Sequence, residues 1–210
     1  MNKLLFVTLS AAVLLFSGCS SKQYFEPEDT YSASSVSSSY GSTIVDLSRD
    51  GATLENGQYI GKQGMSTIKL AEGYRFLSEN STYALASNVE GNLSVIDKST
   101  GKLARSVSFE VPIVSAAIRQ GTVAYVLNNN TFGIYRIKAD KKVIENRSER
   151  TFAIDTRAAS PMFIDNLAVM PMLDGKLIIL NSEGDGENAK VIYLSSEKVF
   201  NNVVYLSRMG

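Results

Sequence analysis

The segment YALASNVEGNLSVIDKSTGKLARSVSF, residues 83–109, contains the pattern on which the rest of the chain is built. Apolar residues alternate with other residues on both sides of Glu90-Gly91, and a second polar turn follows at Lys98-Ser99-Thr100-Gly101. Alternation with a period of two is typical of a half-buried strand, and a glycine between two alternating runs indicates a hairpin. The segment therefore predicts three short antiparallel strands joined by two tight turns.

The same order of strands and turns occurs twice more downstream. It recurs in residues 122–145 and 167–194, and the first turn of each unit falls at Gly91, Asn130 and Gly175. A further apolar stretch precedes each unit, at residues 74–77, 112–118 and 161–164. Four strands in about 40 residues is the size of one antiparallel propeller blade, which must stack on a neighbour to bury both faces. We therefore predict an all-β fold, a β-propeller of four-stranded antiparallel blades, with about four blades or a partial ring.

Residues 1–18 have the layout of a secretory signal peptide, with Lys3 near the start and an apolar run over residues 4–16. The junction Leu15-Phe16-Ser17-Gly18-Cys19 resembles the lipobox of bacterial lipoproteins, which implies cleavage before Cys19 and acylation of that residue. Several acyl chains on one cysteine form a stable membrane anchor, since each buried methylene contributes about 0.8 kcal/mol. The alternatives are an ordinary leader with an incidental cysteine and an uncleaved anchor.

Residues 19–42 are rich in serine and show no sustained period, which predicts a tether between the lipidated Cys19 and the folded part. Ser20 follows the cysteine. In the lipoproteins that this junction resembles, an Asp at that place retains the protein in the inner membrane. Ser20 therefore favours the periplasmic face of the outer membrane.

Residues 43–210 are predicted to form the propeller domain. Residues 43–70 contain two candidate strands, 43–47 and 66–70, around a glycine-rich middle, which predicts an irregular first blade or a cap. A further strand is predicted over residues 200–206, and the residues after it supply neither the rest of a blade nor a closing strand. The expectation is a propeller that is incomplete at its C-terminal end. The alternative is a four-bladed ring in which residues 43–70 and the last strand share one blade.

The composition excludes several classes of function. The chain contains no His, which excludes Ser-His-Asp catalysis and His-ligated metals. Its 21 basic residues equal its 21 acidic residues, so the overall charge favours no nucleic-acid partner. The single Cys cannot form an internal disulfide, and there is no Trp.

The stretch EGNLSVIDKSTGKL resembles the repeat of PQQ-like propellers in Gly91, Asp97, Thr100 and Gly101 and in the aliphatic residues between them. Asp174-Gly175-Lys176-Leu177 is a second, partial match. In such repeats these residues form turns and are not catalytic. Glycine supplies a positive φ at the hairpin, and Asp with Thr-Gly forms the next tight turn.

Together with the lipobox and the tether, these repeats make the chain resemble the BamB-type lipoproteins. The resemblance implies a non-enzymatic, lipid-anchored periplasmic scaffold for outer-membrane β-barrel assembly, with no cofactor and no metal. The implied partner is the barrel-inserting subunit, through its periplasmic domains. The contact loop of that family corresponds to residues 154–161, so Ile154, Thr156 and Arg157 are the predicted partner-binding residues, although Thr156 stands where an aliphatic residue is usual. The alternative is that Arg157 is a solvated loop charge.

The sequence also allows other interpretations of its function. The repeats do not exclude a propeller lipoprotein that binds cell-wall glycan or another envelope protein. A quinoprotein enzyme is disfavoured, because its blades and cofactor site use Trp. Residues 181–186 resemble the first half of a calcium loop, but the twelfth position is Ile192 where such a loop needs a bidentate Glu, which favours a solvated turn. Glu90-Gly91-Asn92-Leu93-Ser94 also fits an acidic-x-Asn-x-Ser glycosylation acceptor.

Overall fold

The computed structural model describes residues 39–151, 160–184 and 190–193. In these residues every regular element is a strand, and sixteen strands form four antiparallel sheets of four, so the predicted fold class is confirmed. Within each sheet the strands follow chain order, and each is paired with the next. None of the described residues belongs to a helix with the length and hydropathy of a membrane span.

We call the four sheets blades 1 to 4. Blade 1 contains β1 (Ile44–Ser48), β2 (Gly51–Leu54), β3 (Gln58–Gly61) and β4 (Gly64–Lys69). Blade 2 contains β5 (Arg75–Glu79), β6 (Tyr83–Ser87), β7 (Asn92–Asp97) and β8 (Lys102–Ser108). Blade 3 contains β9 (Ile113–Arg119), β10 (Thr122–Leu127), β11 (Thr131–Arg136) and β12 (Lys141–Arg147). Blade 4 contains β13 (Met162–Ile164), β14 (Leu167–Pro171), β15 (Lys176–Asn181) and β16 (Lys190–Tyr193).

The middle strands of blades 2 and 3 are mostly buried on both faces because a neighbouring blade covers each face. In β6, Leu85 packs toward blade 3, whereas Ala84 and Ala86 pack toward blade 1. All three side chains are fully buried. Successive side chains of a strand point to opposite faces of the sheet. A strand that lies between two neighbouring blades therefore requires apolar residues at both odd and even positions. The fourth strands, in contrast, are mostly exposed.

Three apolar cores hold the blades together. Between blades 1 and 2, the ring of Tyr59 stacks on that of Phe76 with centroids 4.5 Å apart. Between blades 2 and 3, Phe109 packs against Tyr125 with centroids 4.6 Å apart. Between blades 3 and 4, Met170 lies in the third core and is fully buried. Burial of one such side chain contributes about 1.5–3 kcal/mol, so the stacking of blades is a main source of stability.

Blade 1 corrects the expectation of an irregular first blade or cap. All four of its strands come from residues 43–70, which also corrects the alternative of a shared blade. The strand predicted over residues 200–206 lies outside the described residues. Gly57 occupies the turn that Gly91 occupies in blade 2, with φ at 84° and its carbonyl accepting the Leu70 amide at 2.8 Å. This blade was not recognised in the sequence because β2 and β3 have four residues each, which is too short to establish alternation.

Candidate functional site

The turns and connections of the blades lie on two opposite faces. Because each blade is an antiparallel meander, the turn between its second and third strands lies on the same side as the connection from its fourth strand to the next blade. We call this side the crossover face and the other side the hairpin face. Hydrogen bonds between blades agree with this division. Asn130 contacts Leu173 on the crossover face, and Asn80 donates to the Gln120 carbonyl at 3.1 Å on the hairpin face.

The predicted turn residues divide between these two faces. Three of them lie on the crossover face: Gly91, Asp174 and Gly175. The other three lie on the hairpin face: Asp97, Thr100 and Gly101. The predicted lipidation and contact residues lie outside the described residues: Cys19, Ile154, Thr156 and Arg157. The connection that carries the contact residues leaves β12 and enters β13 on the crossover face.

The Asp97 carboxylate holds the hairpin-face turn that follows β7. Its Oδ1 accepts hydrogen bonds from the Ser99 hydroxyl at 2.6 Å, the Ser99 amide at 2.8 Å and the Thr100 amide at 3.2 Å. These bonds, led by that of the Ser99 hydroxyl, lower the pKa of Asp97 below its ordinary value because they favour the ionised carboxylate. Gly101 completes the turn at φ 68°. The geometry is that of a structural turn.

The crossover connections differ greatly in length. Five residues, 70–74, separate blades 1 and 2, and four residues, 109–112, separate blades 2 and 3. Fourteen residues, 148–161, separate β12 of blade 3 from β13 of blade 4. Connections longer than about 12 residues are uncommon in compact domains and are often functional. This long connection, of which residues 148–151 and 160–161 are described, is the candidate functional site.

Asn130 ties the start of the long connection to blade 4. It is fully buried and has φ at 65°, at the place where blade 2 has Gly91. Its Nδ2 donates to the Glu149 carbonyl at 2.8 Å, and its Oδ1 accepts the Leu173 amide at 2.9 Å. Its carbonyl accepts the amide of Ser148 at 3.0 Å. A single residue thus joins the connection to the turn between β14 and β15.

A buried ion pair lies beside Asn130. The Asp174 carboxylate is fully buried, accepts the Ser148 hydroxyl at 2.7 Å and pairs with Lys176 Nζ at 3.1 Å. The Lys176 side chain is 8% exposed, and its Nζ also lies 2.8 Å from the carboxylate of Glu149, whose side chain is 62% exposed. These contacts form an ionic bridge from the interior of blade 4 to the surface next to the connection.

The charge state of Lys176 follows from these contacts. Burial by itself would lower the pKa of the ammonium, because it disfavours the charged form. The hydrogen bonds and charges of Glu149 and Asp174 outweigh burial and raise the pKa above its ordinary value. Lys176 therefore stays protonated at neutral pH and acts as a structural cation rather than as a nucleophilic amine. At the other end of the connection, Ser160 and Pro161 are buried.

Sequence reasoning missed the side chains of Asn130, Ser148 and Lys176 as parts of this site. In the repeat pattern Lys176 is the residue after a turn, and nothing in its neighbours marks it as buried. Asn130 did carry a usable signal. An Asn where the other repeats have Gly keeps the left-handed conformation and adds a side chain that can bridge to a neighbour.

We expect Asn130→Gly to lower the free energy of unfolding by about 1–3 kcal/mol. Glycine keeps the positive φ, but the buried Leu173 amide loses its acceptor and the Glu149 carbonyl loses its donor. Chemical denaturation followed by circular dichroism measures the change. Asn128→Gly, the same substitution at an exposed residue of the same turn, should lower the stability by less than about 1 kcal/mol. Equal losses from the two variants would contradict the bridging role.

The turn that resembles part of a calcium loop holds a guanidinium. Arg136 donates to the carbonyls of Ser182 at 3.2 Å and Glu183 at 2.8 Å, so a cationic side chain already uses these oxygens. Asn181 Oδ1 accepts the Glu183 amide at 2.9 Å, as in an ordinary blade turn. Within the described ranges, no group of three or more His, Cys, Asp or Glu residues is placed to hold a metal ion.

Comparison with known proteins identifies relatives by sequence, although no family model matches the chain. The plasminogen-binding protein PgbB of Helicobacter pylori, from two strains, is 27% identical over an alignment of 251 positions. The alignment covers 96% of this chain and 45% of each relative. The chain thus spans about half the length of the curated relatives it matches.

Solved structures show the same architecture. BamB from Moraxella catarrhalis superposes with a TM-score of 0.50 at 19% identity, covering 67% of this chain and 45% of that one. The computationally designed protein Ika4 superposes with a TM-score of 0.53 at 12% identity, covering 69% of this chain and 86% of that one. The fold is a β-propeller. At these identities the likeness concerns the propeller fold alone, and a shared fold does not establish a shared function.

Proposed function

We propose that this propeller is a non-enzymatic protein-binding module of the bacterial cell envelope, which binds its partner through the long connection between blades 3 and 4. The connection itself carries the proposal. It has fourteen residues where the other two crossovers have four and five, and both of its ends are held by buried residues. A segment fixed at both ends loses less conformational freedom when it binds, which favours affinity.

The sequence of the connection suits a protein partner. The connection contains Ile154, Thr156 and Arg157 among small residues. An Arg near aliphatic residues is a common anchor of protein interfaces. The described part of the site adds a protonated Lys176 that is bound to Asp174 and Glu149. These paired charges anchor the start of the connection to blade 4 and do not form a reactive centre. This arrangement supports a binding role over an enzymatic one.

Two partners have specific support. The Helicobacter pylori relatives are named plasminogen-binding proteins and align with almost the whole chain, which favours plasminogen. The resemblance of the repeats and of the contact loop to BamB-type lipoproteins favours the barrel-inserting subunit of outer-membrane protein assembly. The lipobox-like junction before Cys19 supports a lipid anchor, and Ser20 favours its placement in the outer membrane.

The test is direct binding by the chain from residue 19 onward with Cys19→Ser, so that neither leader nor acyl chains contribute. The immobilised protein is exposed to purified plasminogen and, separately, to detergent-solubilised envelopes whose captured proteins are identified by mass spectrometry. We expect Arg157→Glu to weaken capture of the partner by about 30-fold or more, since a hot-spot residue contributes about 2 kcal/mol or more. Arg49→Glu reverses a charge on an exposed residue of the hairpin face and should bind like the wild type.

Each outcome is decisive. Loss of plasminogen capture with Arg157→Glu alone supports plasminogen as the partner, and the same loss for the barrel-inserting subunit supports an assembly role. Equal capture by the wild type and Arg157→Glu overturns the connection as the binding site. Capture of neither protein overturns both partner assignments. If neither protein is captured and the wild type instead co-sediments with purified cell-wall glycan, the glycan-binding alternative is favoured.

A further inference from the structure

Asn92 lies in a glycosylation motif that the proposed function does not use. Four asparagines of the chain have a Ser or Thr two positions later, which is the general requirement for N-glycosylation: Asn80, Asn92, Asn129 and Asn146. At Asn92 a carboxylate, that of Glu90, also stands two positions earlier, whereas the other three asparagines have an uncharged residue there. Asn92 is therefore the one asparagine of the sequence that fits the narrower motif acidic-x-Asn-x-Ser.

The Asn92 side chain lies at the surface of blade 2. Asn92 is the first residue of β7 and is half-buried. Its Nδ2 donates to the carboxylate of Glu90 at 3.3 Å, and its Oδ1 accepts the hydroxyl of Ser108 at 2.8 Å. Both partners are exposed, and a sugar that replaces one hydrogen of Nδ2 leaves the other hydrogen for Glu90. The folded protein can therefore carry a glycan on this nitrogen.

The other three asparagines lack the carboxylate, and two of them hold local structure. Asn80 Nδ2 donates to the Gln120 carbonyl at 3.1 Å and so helps to join blades 2 and 3. Asn129 Oδ1 accepts the amide two residues later at 3.0 Å, within its own turn. Asn146 is exposed on β12, with Ile144 two positions earlier. Asn146 is the matched comparison, because it is more accessible than Asn92 and differs from it in lacking the acidic residue.

We infer that Asn92 is the acceptor of an N-linked oligosaccharide, transferred in the periplasm from a polyprenyl-diphosphate carrier by an oligosaccharyltransferase. A bond forms between Nδ2 and the anomeric carbon of the first sugar, and the bond from that carbon to the diphosphate breaks. The polyprenyl diphosphate leaves with the electron pair, and the transferase accepts one amide proton. The Glu90 carboxylate supplies a charge that a cationic group of the transferase binds. The reaction requires export of the chain, which the proposed function also assumes.

Transfer must precede the folding of blade 2. In the folded protein β7 is paired on both sides, so that Ser94 lies between Ala86 of β6 and Ser106 of β8. The backbone amide of Asn92 is held by Asn88 Oδ1 at 2.9 Å. A strand paired along both edges cannot enter an active site without breaking its backbone hydrogen bonds. The chain therefore meets the transferase during export, before β7 joins its neighbours, and the test is made in cells.

The experiment expresses the chain from residue 19 onward, carrying Cys19→Ser, behind an established signal peptide, so that export does not depend on residues 1–18. The host bacterium produces an oligosaccharyltransferase of this acceptor specificity and a lipid-linked oligosaccharide of known mass, and a known acceptor protein reports the activity of both. Mass spectrometry of the periplasmic chain measures the modified fraction. Fragmentation of the tryptic peptide of residues 76–98 distinguishes Asn80 from Asn92. We expect one oligosaccharide, attached to Asn92.

Three variants test the acceptor. Asn92→Gln should abolish the modification, and Glu90→Gln should lower the modified fraction about tenfold or more, since it removes a charge-assisted contact with the transferase. Asn146→Gln, at the comparison asparagine, should be modified like the wild type. Absence of the oligosaccharide from the wild type, its attachment to another asparagine, or equal modification of the wild type and Glu90→Gln overturns the inference. Residues 148–161 are unchanged in every variant, so failure of transfer and failure of partner binding are measured separately.

Discussion

Gly91→Ala is expected to lower the free energy of unfolding by about 2–5 kcal/mol. Gly91 has φ at 87°, a conformation that costs an L-residue about 1–2 kcal/mol. A Cβ on this residue would lie 2.6 Å from the Phe109 carbonyl oxygen and 2.8 Å from that of Val111. Both oxygens belong to the crossover between blades 2 and 3, so relief of the overlap must displace that connection, at a further cost of about 1–3 kcal/mol. Chemical denaturation followed by circular dichroism measures the loss.

The matched control is Gly73→Ala. Gly73 also has a positive φ, at 77°, but no atom lies within 4 Å of an added Cβ. Its substitution should therefore cost only the conformational part, about 1–2 kcal/mol. The difference between the two variants isolates the overlap with the crossover. If both variants lose the same stability, the close approach of Gly91 to the Phe109 and Val111 carbonyls has no energetic consequence.

Lys176→Met is expected to lower the free energy of unfolding by about 3–5 kcal/mol, because it leaves the fully buried Asp174 carboxylate without the ammonium that neutralises it. Methionine keeps a flexible apolar stem of similar length, so packing changes little. The same denaturation experiment applies. Adding Asp174→Asn should restore much of the loss, since the amide keeps an acceptor for the Ser148 hydroxyl and carries no charge.

Lys142→Met serves as the comparison for a surface pair. The Lys142 and Glu145 side chains are both partly exposed, their ion pair spans 3.5 Å, and Lys142 Nζ lies 4.2 Å from the centroid of the Phe109 ring. Loss of both contacts should cost about 1–2 kcal/mol. A loss of similar size from Lys176→Met would show that water or a neighbouring group compensates Asp174. Failure of Asp174→Asn to rescue Lys176→Met would show that the charge is not the cause.

Much of the strand pattern in blades 2 to 4 could be predicted from the sequence, since it depends on local geometry. The strands predicted at residues 74–77, 112–118 and 161–164 correspond to β5, β9 and β13 to within two residues at each end. Blade 1 could not be read in the same way. Its inner strands are short, and the polar turn at Gly57 lies between runs with too few apolar residues to establish a period.

The loop around Arg157 stays a prediction of the sequence, because residues 152–159 lie outside the described residues. The length of the whole connection emerges only once the bounds of β12 and β13 are known. Asp174 is a turn residue in the repeat pattern, yet in the fold its carboxylate neutralises a buried lysine.

By itself, the sequence determined the four-stranded antiparallel units of blades 2 to 4, since alternation and turn residues act over a few neighbouring positions. Only the tertiary structure decided which residues meet between the units. Asn130 bonds to Leu173, 43 positions further along, and Lys142 covers Phe109 of the preceding blade. The physical reason is that stacking one blade on the next brings together residues about one repeat apart, a pairing that no local pattern encodes.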